Sequence, residues 1–138
     1  MDGGLKNLKK PDEQLLVPAE RERKMQITLD DFASRFGLKL TEREMDLATN
    51  VARDRTLTTK ETDAIARAIC YTSMIRNGDL DGALKRFNFM ATDPEVKEKY
   101  GSDFGQIVLA EMKKLDKGAA EELSARLTKG KEKVALRD

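Results

Sequence analysis

Apolar residues recur along most of the chain at intervals of three and four positions, the spacing that brings side chains onto one face of a helix. The longest such segment, residues 58–76, has almost no polar face, which is typical of a helix buried on several sides. No segment alternates apolar and polar residues as a half-buried strand does. The pattern therefore predicts an all-α fold, a compact orthogonal bundle of five to seven short helices around the 58–76 helix.

Two pairs of residues have the spacing of a capping box, in which each side chain bonds the backbone N–H of the other residue. Thr41 with Glu44 forms the first pair, and Thr58 with Glu61 forms the second. The second pair stands at the start of the central helix. Both threonines are therefore predicted to be helix N-caps.

Other helix ends are predicted from residues with special backbone preferences. Thr28 is expected to begin a helix that ends at Gly37. Asp93 followed by Pro94 predicts the start of a short helix, because proline in the first turn removes no intrahelical hydrogen bond. Gly101 is expected to end that helix.

The two ends of the chain differ in composition from its middle. Residues 1–24 are interrupted by prolines and glycines, so we predict a flexible or extended arm there. Residues 25–128 are predicted to form a single helical domain, and residues 129–138 a basic tail. The arm has one apolar cluster that is a candidate contact for a protein partner: Leu15, Leu16 and Val17.

Composition excludes several kinds of chemistry. The 138 residues include no histidine and one cysteine, Cys70, so most zinc, copper and iron sites and the imidazole-based catalytic triads are excluded. We expect no cofactor, no metal and no enzymatic activity. A remote alternative is an enzyme that uses carboxylates and lysine, which requires several acids to converge on a pocket. Cys70, within the apolar central helix, is predicted to be a core residue.

A single cysteine permits no intrachain disulfide, and the first residues contain no apolar run of the kind found in signal peptides. No segment is long and apolar enough to predict a membrane span. We therefore expect a cytoplasmic protein without a membrane partner.

Residues 77–82, NGDLDG, resemble the calcium-binding loop of an EF-hand. Asn77, Asp79 and Asp81 occupy the first, third and fifth positions of that loop. The loop's last ligand, a bidentate glutamate, is replaced by Asn88, which offers a single neutral oxygen. We therefore expect no calcium site.

Residues 71–96 also resemble one unit of the pentatricopeptide and tetratricopeptide repeat families, in which a helix ends, GDLDxAL turns a corner and a second helix packs antiparallel. Such arrays need about three stacked units, and the chain has no second copy. The resemblance therefore implies a helical hairpin and not an RNA-binding array. In the simplest interpretation, Gly78 ends the central helix in the left-handed conformation, and Asp79 or Asp81 caps the next helix.

Residues 40–61 resemble the start of the LuxR-type DNA-binding domain, which opens with an LTxRE sequence. That resemblance implies a recognition helix with exposed polar side chains that contact bases. The corresponding segment here, residues 64–75, is largely apolar, and only Arg67 and Arg76 are available for such contacts. We therefore expect no sequence-specific DNA binding by this element.

Phe89 and Met90 are further candidates for contact with a partner, because Phe89 falls off the apolar stripe that precedes it. That stripe consists of Leu80, Ala83, Leu84 and Phe87. An aromatic residue off the core face is either a second core contact or an exposed anchor.

By elimination, the sequence favours a non-catalytic interaction or regulatory module, such as an adaptor, inhibitor or assembly factor, that binds a protein partner or itself. The alternative is a nucleic-acid regulator, because basic residues near the C-terminus can bind phosphate. These residues are Arg126, Lys129, Lys131, Lys133 and Arg137.

Overall fold

The structure, a computed structural model, describes the backbone of residues 17–137 and the side chains of residues 17–128. This part of the chain forms seven α-helices and no strand, so the predicted all-α bundle is confirmed. The helices are α1 (Pro18–Arg35), α2 (Glu42–Asp54), α3 (Thr59–Arg76), α4 (Leu80–Thr92), α5 (Pro94–Tyr100), α6 (Phe104–Leu115) and α7 (Lys117–Arg137). Within the same residues, no helix is long and apolar enough to cross a membrane.

Helix α3 lies at the centre of the bundle, as its apolar sequence predicts, and 12 of its side chains are buried. It separates two hydrophobic clusters. On one side Ile65 and Ile69 pack with residues of α1 and α2. On the other side Ala68 and Tyr71 pack with residues of α4, α6 and α7. Because both clusters pack on this helix, α3 holds the peripheral helices in place.

Both predicted capping boxes are present. The backbone N–H of Glu44 donates to Thr41 Oγ1 at 3.1 Å, and the N–H of Thr41 donates to Glu44 Oε1 at 2.9 Å. Thr58 and Glu61 exchange the same bonds at 3.0 and 3.1 Å. The starts of α2 and α3 are therefore determined by residues close together in sequence.

The predicted helix start at Thr28 is wrong, because α1 is continuous from Pro18 to Arg35. Thr28 lies in its middle. The buried residues Met25 and Leu29, four positions apart, continue one packed face through this point, and tertiary packing overrides the preference of threonine for a helix end. The boundaries predicted after residues 24 and 128 both fall inside helices, α1 and α7.

The NGDLDG segment turns the corner between α3 and α4, as the simplest interpretation predicts. Gly78 has a φ of 84°, and its N–H donates to the Ile75 carbonyl at 3.0 Å. The N–H of Asp79 donates to the Met74 carbonyl at 2.8 Å, which completes a Schellman motif. Asp79 Oδ1 then accepts the N–H of Gly82 at 2.9 Å and caps α4.

The DNA-reading helix implied by the LuxR resemblance corresponds to α3, which is buried in the bundle. Its two candidate base-contacting arginines are already bonded, Arg67 to Asp63 at 2.6 Å and Arg76 to Asp116 at 2.8 Å. A helix buried in this way cannot enter a major groove.

Candidate functional site

A groove crosses the face of the bundle formed by α1, α4 and α5. Its larger part has a volume of about 460 Å³ and lies between α1, α5 and the first half of α3. Its smaller part, about 150 Å³, lies between α1 and α4. The two parts are adjacent, and five residues line both: Phe32, Arg35, Arg67, Asp93 and Val96.

A charged cluster forms the floor of the groove. Arg67 Nε donates to Asp63 Oδ1 at 2.6 Å, and the Tyr100 hydroxyl donates to Asp63 Oδ2 at 3.0 Å. Both side chains of the ion pair are largely buried. Burial lowers the pKa of Arg67, but the electrostatic interactions and hydrogen bonds with Asp63 and Tyr71 together outweigh burial, so the pKa lies above its ordinary value. The guanidinium therefore stays charged, and the floor is a fixed ion pair.

Aromatic rings covered by guanidinium groups form the wall of the groove. Phe32 and Phe36 stack with their centroids 5.7 Å apart. The guanidinium carbon of Arg67 lies 4.4 Å from the Phe32 centroid, and that of Arg86 lies 4.9 Å from the Phe36 centroid. At these distances the guanidinium groups are attracted to the ring faces. The groove thus combines apolar surface with oriented positive charge.

Phe89 lines the smaller part of the groove, with 73% of its surface exposed. It is the most exposed of the large apolar residues in the described part of the chain. The others are Ile27 at 59%, Val17 at 56% and Leu47 at 38%. Ile27 lines the larger part of the same groove. The two most exposed apolar side chains therefore both line this groove.

Met90, the second candidate on α4, is buried in the core, and its sulfur accepts a hydrogen bond from the Tyr71 hydroxyl at 3.9 Å. The prediction that Met90 contacts a partner is therefore wrong. Ala83, Phe87 and Met90 follow one another at intervals of four and three positions, which places them on the same buried face. Phe89 lies off that face.

The candidates at the chain ends are only partly within the described residues. Leu15 and Leu16 lie outside them, and Val17 directly precedes α1. Arg126 Nη2 donates to Asp81 Oδ1 at 2.8 Å, so this basic residue already has an acidic partner. The other proposed phosphate contacts lie in the last turns of α7, beyond the described side chains: Lys129, Lys131, Lys133 and Arg137.

Four carboxylates line the larger part of the groove: Asp31, Asp63, Asp93 and Glu95. Besides Asp63, two of them have structural roles. Asp31 pairs with Arg35 at 3.0 Å, and Asp93 Oδ1 accepts the N–H of Glu95 at 3.0 Å as the cap of α5. Among the described residues, no group of three or more acidic or cysteine side chains is arranged to hold a metal ion. Acids do converge here, but three of the four already have an ion-pair or hydrogen-bond partner.

Cys70 is fully buried in the core, as predicted. Burial raises the pKa of its thiol to about 12, and the neighbouring charge of Glu44 adds to this effect. A thiol with so high a pKa is protonated at neutral pH and inert as a nucleophile.

The groove itself was missed in the sequence, although one local signal for it exists. Asp63 and Arg67 are oppositely charged residues four positions apart in a largely apolar helix, and this spacing predicts a partly buried ion pair on one helix face.

Comparison with known proteins adds no family: no family model, no curated protein and no solved structure matches the chain. The proposed function therefore rests on the groove alone.

Proposed function

We propose that the protein is a non-catalytic interaction module, such as an adaptor, inhibitor or assembly factor, that binds a protein partner or a second copy of itself through the groove. The observation that carries this proposal is the exposure of Phe89, 73%, beside a groove lined with aromatic and arginine side chains. Burial of a phenylalanine side chain contributes about 1.5–3 kcal/mol. Phe89 is therefore proposed as the anchor of the interface.

The composition of the groove supports this proposal. Aromatic residues and arginine are enriched at protein interfaces, and a few such residues supply most of the binding free energy. Ile27 in the larger part and Phe89 in the smaller part give a partner two apolar contacts in the groove. The buried thiol of Cys70 suits a reducing compartment, and we propose that the module acts in the cytoplasm.

The proposal is tested by capture of the tagged protein's partners from a lysate of its natural source, with Phe89→Ala beside the unchanged chain. Leu47→Ala is the matched control, because Leu47 is also an exposed apolar residue but lines a different cleft. The lysate is divided into nuclease-treated and untreated halves, and each is washed at low and high salt. Sedimentation of the purified chain tests self-association in parallel.

We expect a protein, or a second copy, that survives nuclease and high salt. Phe89→Ala is expected to weaken its binding about 30-fold, the effect of a loss of about 2 kcal/mol at an interface hot spot. Leu47→Ala is expected to leave binding unchanged. Binding that survives Phe89→Ala contradicts the proposal. Recovery of nucleic acid alone, and only at low salt, supports instead the phosphate-binding alternative at the C-terminal basic residues.

A further inference from the structure

Three guanidinium groups line the smaller part of the groove, those of Arg35, Arg67 and Arg86. The first two are paired, Arg35 with Asp31 at 3.0 Å and Arg67 with Asp63 at 2.6 Å. Arg86 is different. It is exposed, its guanidinium lies over Phe36, and it makes no ion pair with any carboxylate in the described part of the chain.

Arg86 and Phe89 are three positions apart on α4, a spacing that makes them neighbours on the helix surface. We infer that Arg86 binds a carboxylate of the protein partner, so that the partner presents an acidic residue next to an apolar one. The apolar residue contacts Phe89 in the smaller part of the groove, whose volume of about 150 Å³ accommodates a group the size of benzene. This inference rests on the proposed function of the groove and specifies the chemistry of its partner.

The stacking of Arg86 on Phe36 favours this role. A guanidinium that lies over a ring keeps its N–H groups free at its edge, where they can bind both oxygens of a carboxylate. The side chain is also restrained before the partner arrives, so less conformational entropy is lost on binding.

The charge of the surroundings favours a single carboxylate over a nucleic-acid backbone. Proteins that grip nucleic acid neutralise several phosphates at once. Among the described residues, Arg86 is the one guanidinium of the groove without an ion pair, since Arg35 and Arg67 pair with Asp31 and Asp63. The larger part is lined by four basic side chains and four carboxylates, so it offers no net positive charge to a run of phosphates. One acidic side chain matches this arrangement, and a run of phosphates does not.

The probe is a random peptide library displayed on phage and selected on the immobilised full-length chain. We expect enriched peptides that carry Asp or Glu directly beside Leu, Ile, Phe or Met. Enriched peptides without acidic residues contradict the inference, and so does a library that yields no enriched peptide. Single- and double-stranded DNA oligonucleotides are measured in parallel, and DNA binding that depends on Arg86 contradicts it as well.

The best enriched peptide is then measured against four variants. Arg86→Gln is expected to weaken its binding about tenfold, the loss of a bidentate charged bond. Arg86→Lys, which keeps the charge but not the planar fork, is expected to have an intermediate effect. Lys85→Gln is the matched control, because it removes an equal charge from the neighbouring exposed position, which does not line the groove.

Phe89→Ala separates this inference from the proposed function. If Phe89→Ala abolishes peptide binding while Arg86→Gln does not, the groove is an interaction site and the inference about the carboxylate is wrong. If the peptide binds both variants like the unchanged chain, the proposed function of the groove is wrong as well.

Discussion

The side chain of Arg21 closes the C-terminal end of α2: its Nε donates to the carbonyl of Ala52 at 2.7 Å. Its Nη2 also donates to the carbonyl of Arg53 at 3.2 Å. The last carbonyls of a helix have no intrahelical partner and carry partial negative charge. The buried guanidinium of Arg21 donates hydrogen bonds to two of them and offsets their charge. The contact fastens α1 to α2.

Replacement of Arg21 by alanine is expected to lower the free energy of unfolding by about 1.5–3 kcal/mol, because both hydrogen bonds from the charged guanidinium are lost and two carbonyls are left without this donor. Urea-induced unfolding followed by circular dichroism measures the change. Arg23→Ala, on the exposed side of the same helix, serves as the control and should change stability by less than about 0.5 kcal/mol. Equal effects of the two substitutions would show that Arg21 is an ordinary surface residue.

Arg21 also shows where sequence reasoning succeeds and where it stops. The capping box of Thr41 and Glu44 was predictable because its partners are three positions apart. Arg21 was assigned to a flexible arm, since its partner Ala52 is 31 positions away and nothing local indicates the contact. Phe89 is an intermediate case. Helical spacing predicts that it lies off the apolar stripe of its own helix, but whether another helix covers it depends on the tertiary fold.

The groove could not be predicted for the same reason. Phe32, Arg67 and Val96 come from three separate helices, α1, α3 and α5, and only their packing brings them together. Only the Asp63–Arg67 pair of this site is visible from neighbouring positions in the sequence. The other contacts of the groove arise from the packing of the helices.

Thr72 is a second position with a distinct prediction. Its Oγ1 is buried in α3 and has no hydrogen-bond partner within the described residues, which is a destabilising arrangement. Thr72→Val is therefore expected to raise the free energy of unfolding by about 1 kcal/mol. Thr62, whose buried Oγ1 donates to the Thr58 carbonyl at 2.9 Å, is the control. Thr62→Val should give no gain in the same denaturation experiment, and a gain at 62 but not at 72 would reverse this account.

The corner between α3 and α4 depends on the conformation of Gly78. Its φ of 84° is costly for a residue with a Cβ, so Gly78→Ala is expected to destabilise the protein by about 1–2 kcal/mol. Gly118, in the first turn of α7, has no positive φ, and an added Cβ there makes only ordinary contacts. Gly118→Ala should leave the melting temperature unchanged or raise it. Thermal unfolding of both variants decides the matter, and an unaffected Gly78→Ala would contradict the left-handed corner.

Asp116 links stability to pH. Its Oδ2 accepts from Arg76 Nε at 2.8 Å and its Oδ1 from the N–H of Ala119 at 3.1 Å. The Arg76 bond, and then the backbone N–H, hold the pKa of Asp116 below its ordinary value of 3.8. Because the pKa is lowered in the folded state, the stabilisation is complete above the ordinary value and is lost as the pH falls through the folded value.

Asp116→Asn should therefore be less stable than the unchanged chain at neutral pH, and the difference should shrink as the pH falls below the ordinary value of 3.8. Urea midpoints across the acid range measure this. Asp103→Asn is the control, since Asp103 precedes α6 without a side-chain capping bond. A difference for Asp116→Asn that persists unchanged into acid would contradict the ionic origin of the effect.

The central claim is that the surface around Phe89 contacts another protein chain, and site-specific photo-crosslinking tests it most directly. A photoreactive phenylalanine analogue is placed at position 89, or at the control position of Leu47, and the protein is irradiated in cells of its natural source. We predict a discrete adduct heavier than the 15.5 kDa chain from position 89 and none from position 47. No adduct from position 89, or equal adducts from both, would contradict the account.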